Sequence, residues 1–202
     1  MGVLNSFEDY EIAESFNRET TLDDNTKLLI VGTLTPPKGK GKYFYSTRKT
    51  IYECIDKALN NDNKLIILKN KFKNYNDSNS NKDEVDLNNE IVRNKIKEHL
   101  QQNKIAFLDV VKYAVRNKRS SDDKDIMVAE LDYDAFKDLK NVKTVIVNSE
   151  AAKDAFDKII QKNKSEGKEY RYSEKIYLSQ IRRGFNEEEW VNTIKEALDI
   201  QS

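Results

Sequence analysis

The sequence has few of the residues from which metal centres, disulfides and histidine-dependent catalytic sites are built. Its 202 residues include one cysteine, Cys54, and one histidine, His99. A single cysteine cannot form an internal disulfide, and without a second Cys or His nearby a zinc or iron–sulfur site is not expected. The single histidine also argues against His-pair metal sites and Ser-His-Asp catalysis. No metal or other cofactor is therefore expected.

Long apolar runs and an excess of one charge are also absent. No apolar run is longer than four residues, the length of the runs at 28–31 and 65–68, whereas a membrane-spanning helix needs about 20. The first 14 residues lack the basic and apolar regions of a signal peptide, so we expect a cytoplasmic protein with no membrane partner. The 35 Lys and Arg residues balance 35 Asp and Glu. This balance argues against a purely electrostatic nucleic-acid binder but allows a basic site on one face.

Short apolar runs alternate with segments of helical periodicity. Strands are predicted at 27–32, 104–111, 142–148 and 175–179. Helices are predicted at about 48–60, 88–102, 133–140, 149–163 and 187–199, with Asn186 as the N-cap of the last. Continuous apolar strands that alternate with helices indicate a single α/β domain, a sandwich around a mostly parallel sheet.

Residues 69–90 interrupt this alternation. Seven of these positions are Asn and few are apolar, which predicts a flexible, Asn-rich surface insert in the single domain 1–202. The preceding residues 64–68 fit either a fifth strand or the end of a helix.

The loop after the first predicted strand combines glycines, lysines and aromatics. Lys38, Lys40 and Lys42 precede the aromatic run 43–45, and no acidic residue interrupts positions 38–49. Basic residues interleaved with aromatics suit phosphate contacts and base stacking. The alternative is a solvated lysine loop whose aromatics pack on the core. The spacing of a phosphate-binding P-loop is absent.

Two further basic segments follow predicted strands. Asp109 lies within an apolar run, where a carboxylate must meet hydrogen-bond donors, either a ligand's N–H groups or those of its own loop. Basic residues follow it at 112–119, and Arg182 and Arg183 follow the fourth strand. Because the carboxyl ends of parallel strands share one edge of a sheet, three basic loops there favour a nucleic-acid or phosphoester ligand.

Four segments in this order resemble a known family. They are LLIVGTLTPPKG with GKYFYS, then IAFLDVVKYAVRNKRSSD, then VKTVIVNSEAAKDAF, then IYLSQ. Their order and spacing, over about residues 27–198, resemble the uracil-DNA glycosylase superfamily, and most closely its hypoxanthine-type branch. The resemblance implies a three-layer α/β/α sandwich with a central, mostly parallel four-stranded sheet, no metal, and a pocket for a flipped base at the strand ends.

The resemblance also implies roles for particular residues. Segment 32–37 matches the loop that positions the attacking water, and the hydroxyl candidates for holding that water are Thr35 and Thr50. Asp109, which would read the base edge, joins Thr35 and Thr50 as a catalytic candidate. The base-binding candidates are Gly32, Phe44 or Tyr45 as the stacking ring, Asn148 and Ser179. The candidates for contacting the DNA backbone are Lys38, Lys40, Lys42, Arg182 and Arg183.

Two departures from the family pattern bear on activity. Active members generally carry Asp, Asn or Glu in or near the first motif, where this chain has Leu34 and Thr35. The histidine that several branches carry in the last motif is replaced by Ser179 or Gln180.

The resulting hypothesis is a monofunctional DNA glycosylase that excises a deaminated or mismatched base. The alternatives are a catalytically inactive nucleic-acid or nucleotide-binding protein of the same fold, and an unrelated α/β protein whose basic rim binds a small phosphorylated ligand.

Overall fold

The computed structural model describes a mixed α/β fold built on a parallel sheet. It describes residues 10–15, 20–34, 49–72, 82–117, 126–137, 139–170, 172, 174–178 and 185–200. The parallel sheet has the strand order β3-β2-β6-β7. Its strands are β2 (Leu28–Gly32), β3 (Ile105–Asp109), β6 (Thr144–Val147) and β7 (Glu174–Tyr177).

Helices connect and cover these strands. They are α1 (Lys49–Leu59), α2 (Lys64–Lys69), α3 (Lys82–Gln102), α4 (Glu150–Ser165) and α5 (Glu187–Ala197). No helix within the described residues is both long and apolar enough to cross a membrane.

A second, antiparallel sheet of order β1-β4-β5 was not predicted. It consists of β1 (Tyr10–Glu14), β4 (Val111–Asn117) and β5 (Ile126–Leu131). Strand β4 begins two residues after β3 ends, so the chain passes from the parallel sheet directly into the antiparallel one. The N–H of Asp132 donates to the carbonyl of Val110 at 2.9 Å, which extends the β4–β5 pairing to this junction.

The core lies on both faces of the parallel sheet. Side chains alternate between faces along a strand. Leu28 and Ile30 of β2 pack with α1, α2, α3 and α5, and we call this side the α1 face. Leu29 and Val31 pack with α4 and β4 on the opposite side. All five residues of β2 are buried, which explains why this strand is continuously apolar.

The described residues correct several sequence expectations. Residues 64–68, for which a strand and the end of a helix were both open, are helical, in α2. Residues 82–90 of the predicted insert belong to α3, where Val85 and Asn89 are buried. Residues 133–137 form a turn rather than a helix, and the Asp132 carboxylate accepts the N–H of Ala135 at the start of this turn. The predicted insert residues 73–81 lie outside the described residues.

Candidate functional site

Two buried polar residues flank a glycine at the carboxyl edge of the parallel sheet. Gly32, the last residue of β2, is the register partner of Asp109, the last residue of β3. On the other side of β2, Val31 pairs with Val147, and the N–H of Asn148 donates to the Val31 carbonyl at 3.0 Å. Asp109, Gly32 and Asn148 therefore form one row, which we call the edge row. Strand spacing places the Cα atoms of Asp109 and Asn148 about 10 Å apart, with no side chain from Gly32 between them.

The edge row presents its side chains toward the α1 face. Asp109 continues the alternation of Ile105 and Phe107, and Asn148 continues that of Ile146, all of which pack on that face. Asp109 is fully buried at the end of an otherwise apolar strand. A carboxylate in this position requires donors from the chain or from a ligand.

Asn148 gives the clearest indication of a ligand site in the row. Its side chain is 1% exposed, and neither its amide oxygen nor its amide nitrogen has a hydrogen-bond partner among the described residues. An unsatisfied buried polar group costs about 1–3 kcal/mol, and most buried polar atoms in proteins are paired. An amide with both atoms unpaired at a sheet edge is therefore suited to hydrogen bonds with a bound ligand.

The N-terminal turn of α1 lies at the same edge. Asn61, just beyond the end of α1, contacts His99 in the last turn of α3 with 3.0 Å between Nδ2 and Nε2. Since α3 leads into the start of β3, this contact puts the C-terminal end of α1 at the amino edge and its N-terminus at the carboxyl edge. The Tyr52 ring packs edge-on against Phe107 with 6.2 Å between ring centroids. Thr50 is half-buried in the first turn of α1, at the end of the helix that faces the carboxyl edge.

A buried hydroxyl pair, which the sequence analysis missed, supports the row from the opposite face. Thr33 Oγ1 and Ser149 Oγ are 2.7 Å apart. Ser149 is also the N-cap of α4, and its Oγ accepts the N–H of Ala152. This pair ties the end of β2 to the start of α4 and so positions Gly32 and Asn148. Ser149 directly precedes a helical segment, and serine is a common N-cap residue that can be recognised from the sequence. Its contact with Thr33 depends on the tertiary fold and cannot be recognised in this way.

The structure thus brings together Gly32, Asp109 and Asn148, with Thr50 at the same edge. The other predicted site residues lie outside the described residues and stay predictions. They are Thr35, Lys38, Lys40, Lys42, Phe44, Tyr45, Ser179, Arg182 and Arg183.

The cysteine and the histidine lie away from the edge row. Cys54 is a buried residue of α1, and burial with nearby Glu187 raises its thiol pKa to about 12, so it stays protonated. His99 lies at the amino edge, 5% exposed. Among the residues described, no group of three or more His, Cys, Asp or Glu side chains is arranged to hold a metal ion.

Comparison with known proteins gives one structural similarity. No protein-family profile matches the chain, and no curated protein matches it significantly. The chain is similar to the solution NMR structure of a "putative Uracil DNA glycosylase" from Methanosarcina acetivorans, with a TM-score of 0.57 and 19% identity. The similarity covers 93% of this chain and 99% of that one. At this identity it shows a shared fold, which agrees with the superfamily resemblance of the sequence motifs without distinguishing the hypoxanthine-type branch.

Proposed function

We propose that this protein is a DNA glycosylase-like enzyme that hydrolyses the N-glycosidic bond of a deaminated or mismatched base. The base would leave the DNA helix and enter the space above Gly32. The observation that carries this proposal is the edge row itself. A buried carboxylate and an unpaired buried amide flank a position without a side chain, at the strand ends where ligands bind in open α/β sheets.

The edge row offers complementary groups for a planar base. In this proposal Asp109 accepts a hydrogen bond from a base N–H, while the Asn148 amide can both donate and accept. Gly32 allows the ring to approach the backbone closely. Phe44 or Tyr45 would stack on the ring, as the resemblance implies.

The proposed chemistry relies on holding a water molecule and stabilising the departing base. Thr35 or Thr50 would orient the water through its hydroxyl group. A threonine hydroxyl does not ionise near neutral pH, so it cannot act as a strong base. Most of the acceleration would therefore come from polar groups directed at the base.

A second candidate is a catalytically inactive nucleic-acid or nucleotide-binding protein of the same fold. The observation that favours it is the segment after β2, where Leu34 and Thr35 replace the Asp, Asn or Glu expected for orienting water. This candidate keeps the edge row as a binding site and predicts no bond cleavage.

An assay on fluorescent oligonucleotides separates the two candidates. The strands would carry uracil, hypoxanthine, xanthine or a mismatched thymine, in single-stranded and duplex form, and would be treated with alkali after incubation. Scission at one modified base that is lost in Thr50→Ala or changed in Asp109→Asn supports the glycosylase. Intact strands together with salt-sensitive binding support the inactive binding protein.

A further inference from the structure

Helix α3 carries exposed apolar side chains on its outward side. Leu87 is 60% exposed and Ile91 is 47% exposed. They lie one helical turn apart and therefore on the same side of α3, and we call them the outer pair. Ile67 of the adjacent helix α2 is also exposed. The chain just after α2 adjoins this part of α3, because Asn88 Nδ2 donates to the carbonyl of residue 71 at 3.1 Å.

The outer pair does not contribute to the core of a single copy. The core residues of α3, which include Val92, Ile96 and Leu100, lie on its other side. The outward side of an amphipathic helix normally carries polar and charged residues. Single exposed apolar residues are common on protein surfaces, whereas neighbouring ones mark interaction sites. The outer pair therefore indicates a surface that a partner covers.

The charges of α3 separate on either side of Ile91. The half before it contains one base, Lys82, and the acidic residues Asp83, Glu84, Asp86 and Glu90. The half after it contains one acid, Glu98, and the basic residues Arg93, Lys95 and Lys97. The helix dipole favours such an order only in the first and last turns, whereas Glu90 and Lys95 lie between them. Both are exposed, and neither forms an ion pair with another residue that the structure describes.

A helix with oppositely charged halves is complementary to an antiparallel copy of itself. In a two-fold pair both copies use the same surface, so that Leu87 of each copy can face Ile91 of the other. Lys95 follows Ile91 by four residues, and the acidic position 83 precedes Leu87 by four. Lys95 of one copy is then level with position 83 of the other. A parallel pair would instead place like charges together.

We propose that the outward side of α3 is an interface through which two copies of this protein associate, with their α3 helices antiparallel. The outer pair forms the buried centre of this interface, and the charges around it fix the orientation. An interface centred on one pair of helices is small, so we expect reversible association in the micromolar range. This interface does not depend on the proposed glycosylase function, because the edge row takes no part in it.

Sedimentation equilibrium at increasing protein concentration measures the association. The mass of wild type should rise from the 23.5 kDa of one chain towards twice that value. Each side chain occurs twice in a two-fold interface, so Leu87→Lys and Ile91→Lys should each weaken association about 100-fold or more. Both positions are exposed and lysine is a good helix former, so the melting temperature should not change. Ile12→Lys is the matched control, because Ile12 is 75% exposed on β1, and it should associate like wild type.

A charge reversal tests the complementarity of the two halves of α3. Lys95→Glu places an acidic residue level with the acidic half of the second copy, and should weaken association about tenfold. Lys158→Glu makes the same change in net charge at an exposed position of α4 and should leave association unchanged. Equal association of these two variants would contradict the complementarity.

Cysteine cross-linking tests the orientation of the two helices. Under mild oxidation, a mixture of the Leu87→Cys and Ile91→Cys proteins should form disulfide-linked dimers faster than either protein alone. The native Cys54 is buried and its thiol pKa is about 12, so it should not compete. Faster cross-linking of each protein with itself would overturn the antiparallel arrangement.

Two outcomes of the sedimentation experiment would overturn the interface itself. One is a mass of 23.5 kDa even at millimolar concentration. The other is a dimer that persists unchanged in Leu87→Lys and Ile91→Lys, because its interface would then lie elsewhere. Neither outcome bears on base excision, which the oligonucleotide assay tests separately.

Discussion

At the scale of single residues, the edge row places two different polar groups on either side of Gly32. Asp109 presents oxygen acceptors, whereas Asn148 presents one donor group and one acceptor. Both are buried, Asp109 as the last residue of β3 and Asn148 directly after β6. Their burial strengthens each hydrogen bond they make to a ligand, because the surrounding dielectric is low.

Asp109→Asn is expected to change base selectivity more than DNA affinity. The substitution keeps the shape of the side chain but replaces one acceptor oxygen with a donor. A good polar contact to a base edge is worth about 1–3 kcal/mol, so the preference between bases should shift about 5- to 150-fold. Competition between modified oligonucleotides measures the preference, and titration with an unmodified duplex measures affinity. A collapse of affinity for the unmodified duplex would show that Asp109 has a structural role instead.

His99 predicts a pH dependence of stability that is separate from the site. Burial, with a smaller effect from nearby Lys64, lowers the pKa of His99 below its ordinary value of 6.5. The unfolded chain therefore binds this proton more readily than the folded chain. As a result, protonation of His99 does not reduce the free energy of unfolding above pH 6.5, but reduces it increasingly as the pH drops below 6.5. Asp56 acts in the opposite sense at lower pH, because burial raises the pKa of its carboxyl group.

The measurement for His99 is urea unfolding at pH 7.5 and pH 5.5. Wild type should be less stable at the lower pH, and His99→Gln should lose much of that difference. The same pH dependence in both proteins would show that His99 is not responsible.

At the scale of elements, side-chain N-caps fix the starts of the two last helices, α4 and α5. Asn186 was predicted as the N-cap of the last helix, and the structure confirms it, with Oδ1 accepting the N–H of Glu189 at 3.2 Å. The acidic first turn of α5 adds a favourable interaction with the helix dipole. Trp190 and Ile194 of this helix are buried against the α1 face.

Asn186→Ala is expected to destabilise the protein by about 1 kcal/mol, the usual cost of losing an N-cap. Asn186→Ser is the matched variant and should retain most of the stability, because its hydroxyl can accept the same N–H. Urea unfolding of the three proteins measures this difference. Equal stability of the alanine and serine variants would contradict a capping role.

The elements that could be predicted are those specified by local pattern. The buried strands β2, β3 and β6 are continuous apolar runs, and α4 and α5 have clear apolar faces. Helix α3 is longer than predicted because Asn-rich composition obscures a buried face at Val85, Asn89, Val92 and Ile96. The antiparallel sheet was missed because it pairs β1 with β4, about 100 residues later, and because β4 and β5 shift register twice.

The candidate site was predictable in part for the same reason. Asp109 stands out as a carboxylate in an apolar strand, and Asn148 follows such a strand directly. Their placement on either side of Gly32 depends on the strand order, which local pattern does not specify. The contact between Thr33 and Ser149 joins residues 116 positions apart and requires the folded sheet.

At the scale of the whole molecule, zero net charge means that the proposed DNA binding would depend on local concentrations of positive charge. Phosphate contacts release counterions, so the logarithm of the affinity falls with the logarithm of the salt concentration, with a slope of about one for each contact. Changing Lys40 and Lys42 together to Ala is expected to reduce the salt slope of DNA binding by about two. Lys158 and Lys164 are exposed on α4, and changing both to Ala is the matched control, expected to leave the slope unchanged. An unchanged slope in the Lys40 and Lys42 variant would remove that loop from the interface.

The most direct test of the central claim is detection of the free base. Protein in excess would be incubated with duplexes that carry one uracil, hypoxanthine or xanthine, and the released base and abasic strand would be quantified by mass spectrometry. We expect one base to appear in equal amount with its abasic strand, and none from the matched unmodified duplex. Salt-sensitive binding without release of any base would contradict the glycosylase and identify a binding protein of the same fold.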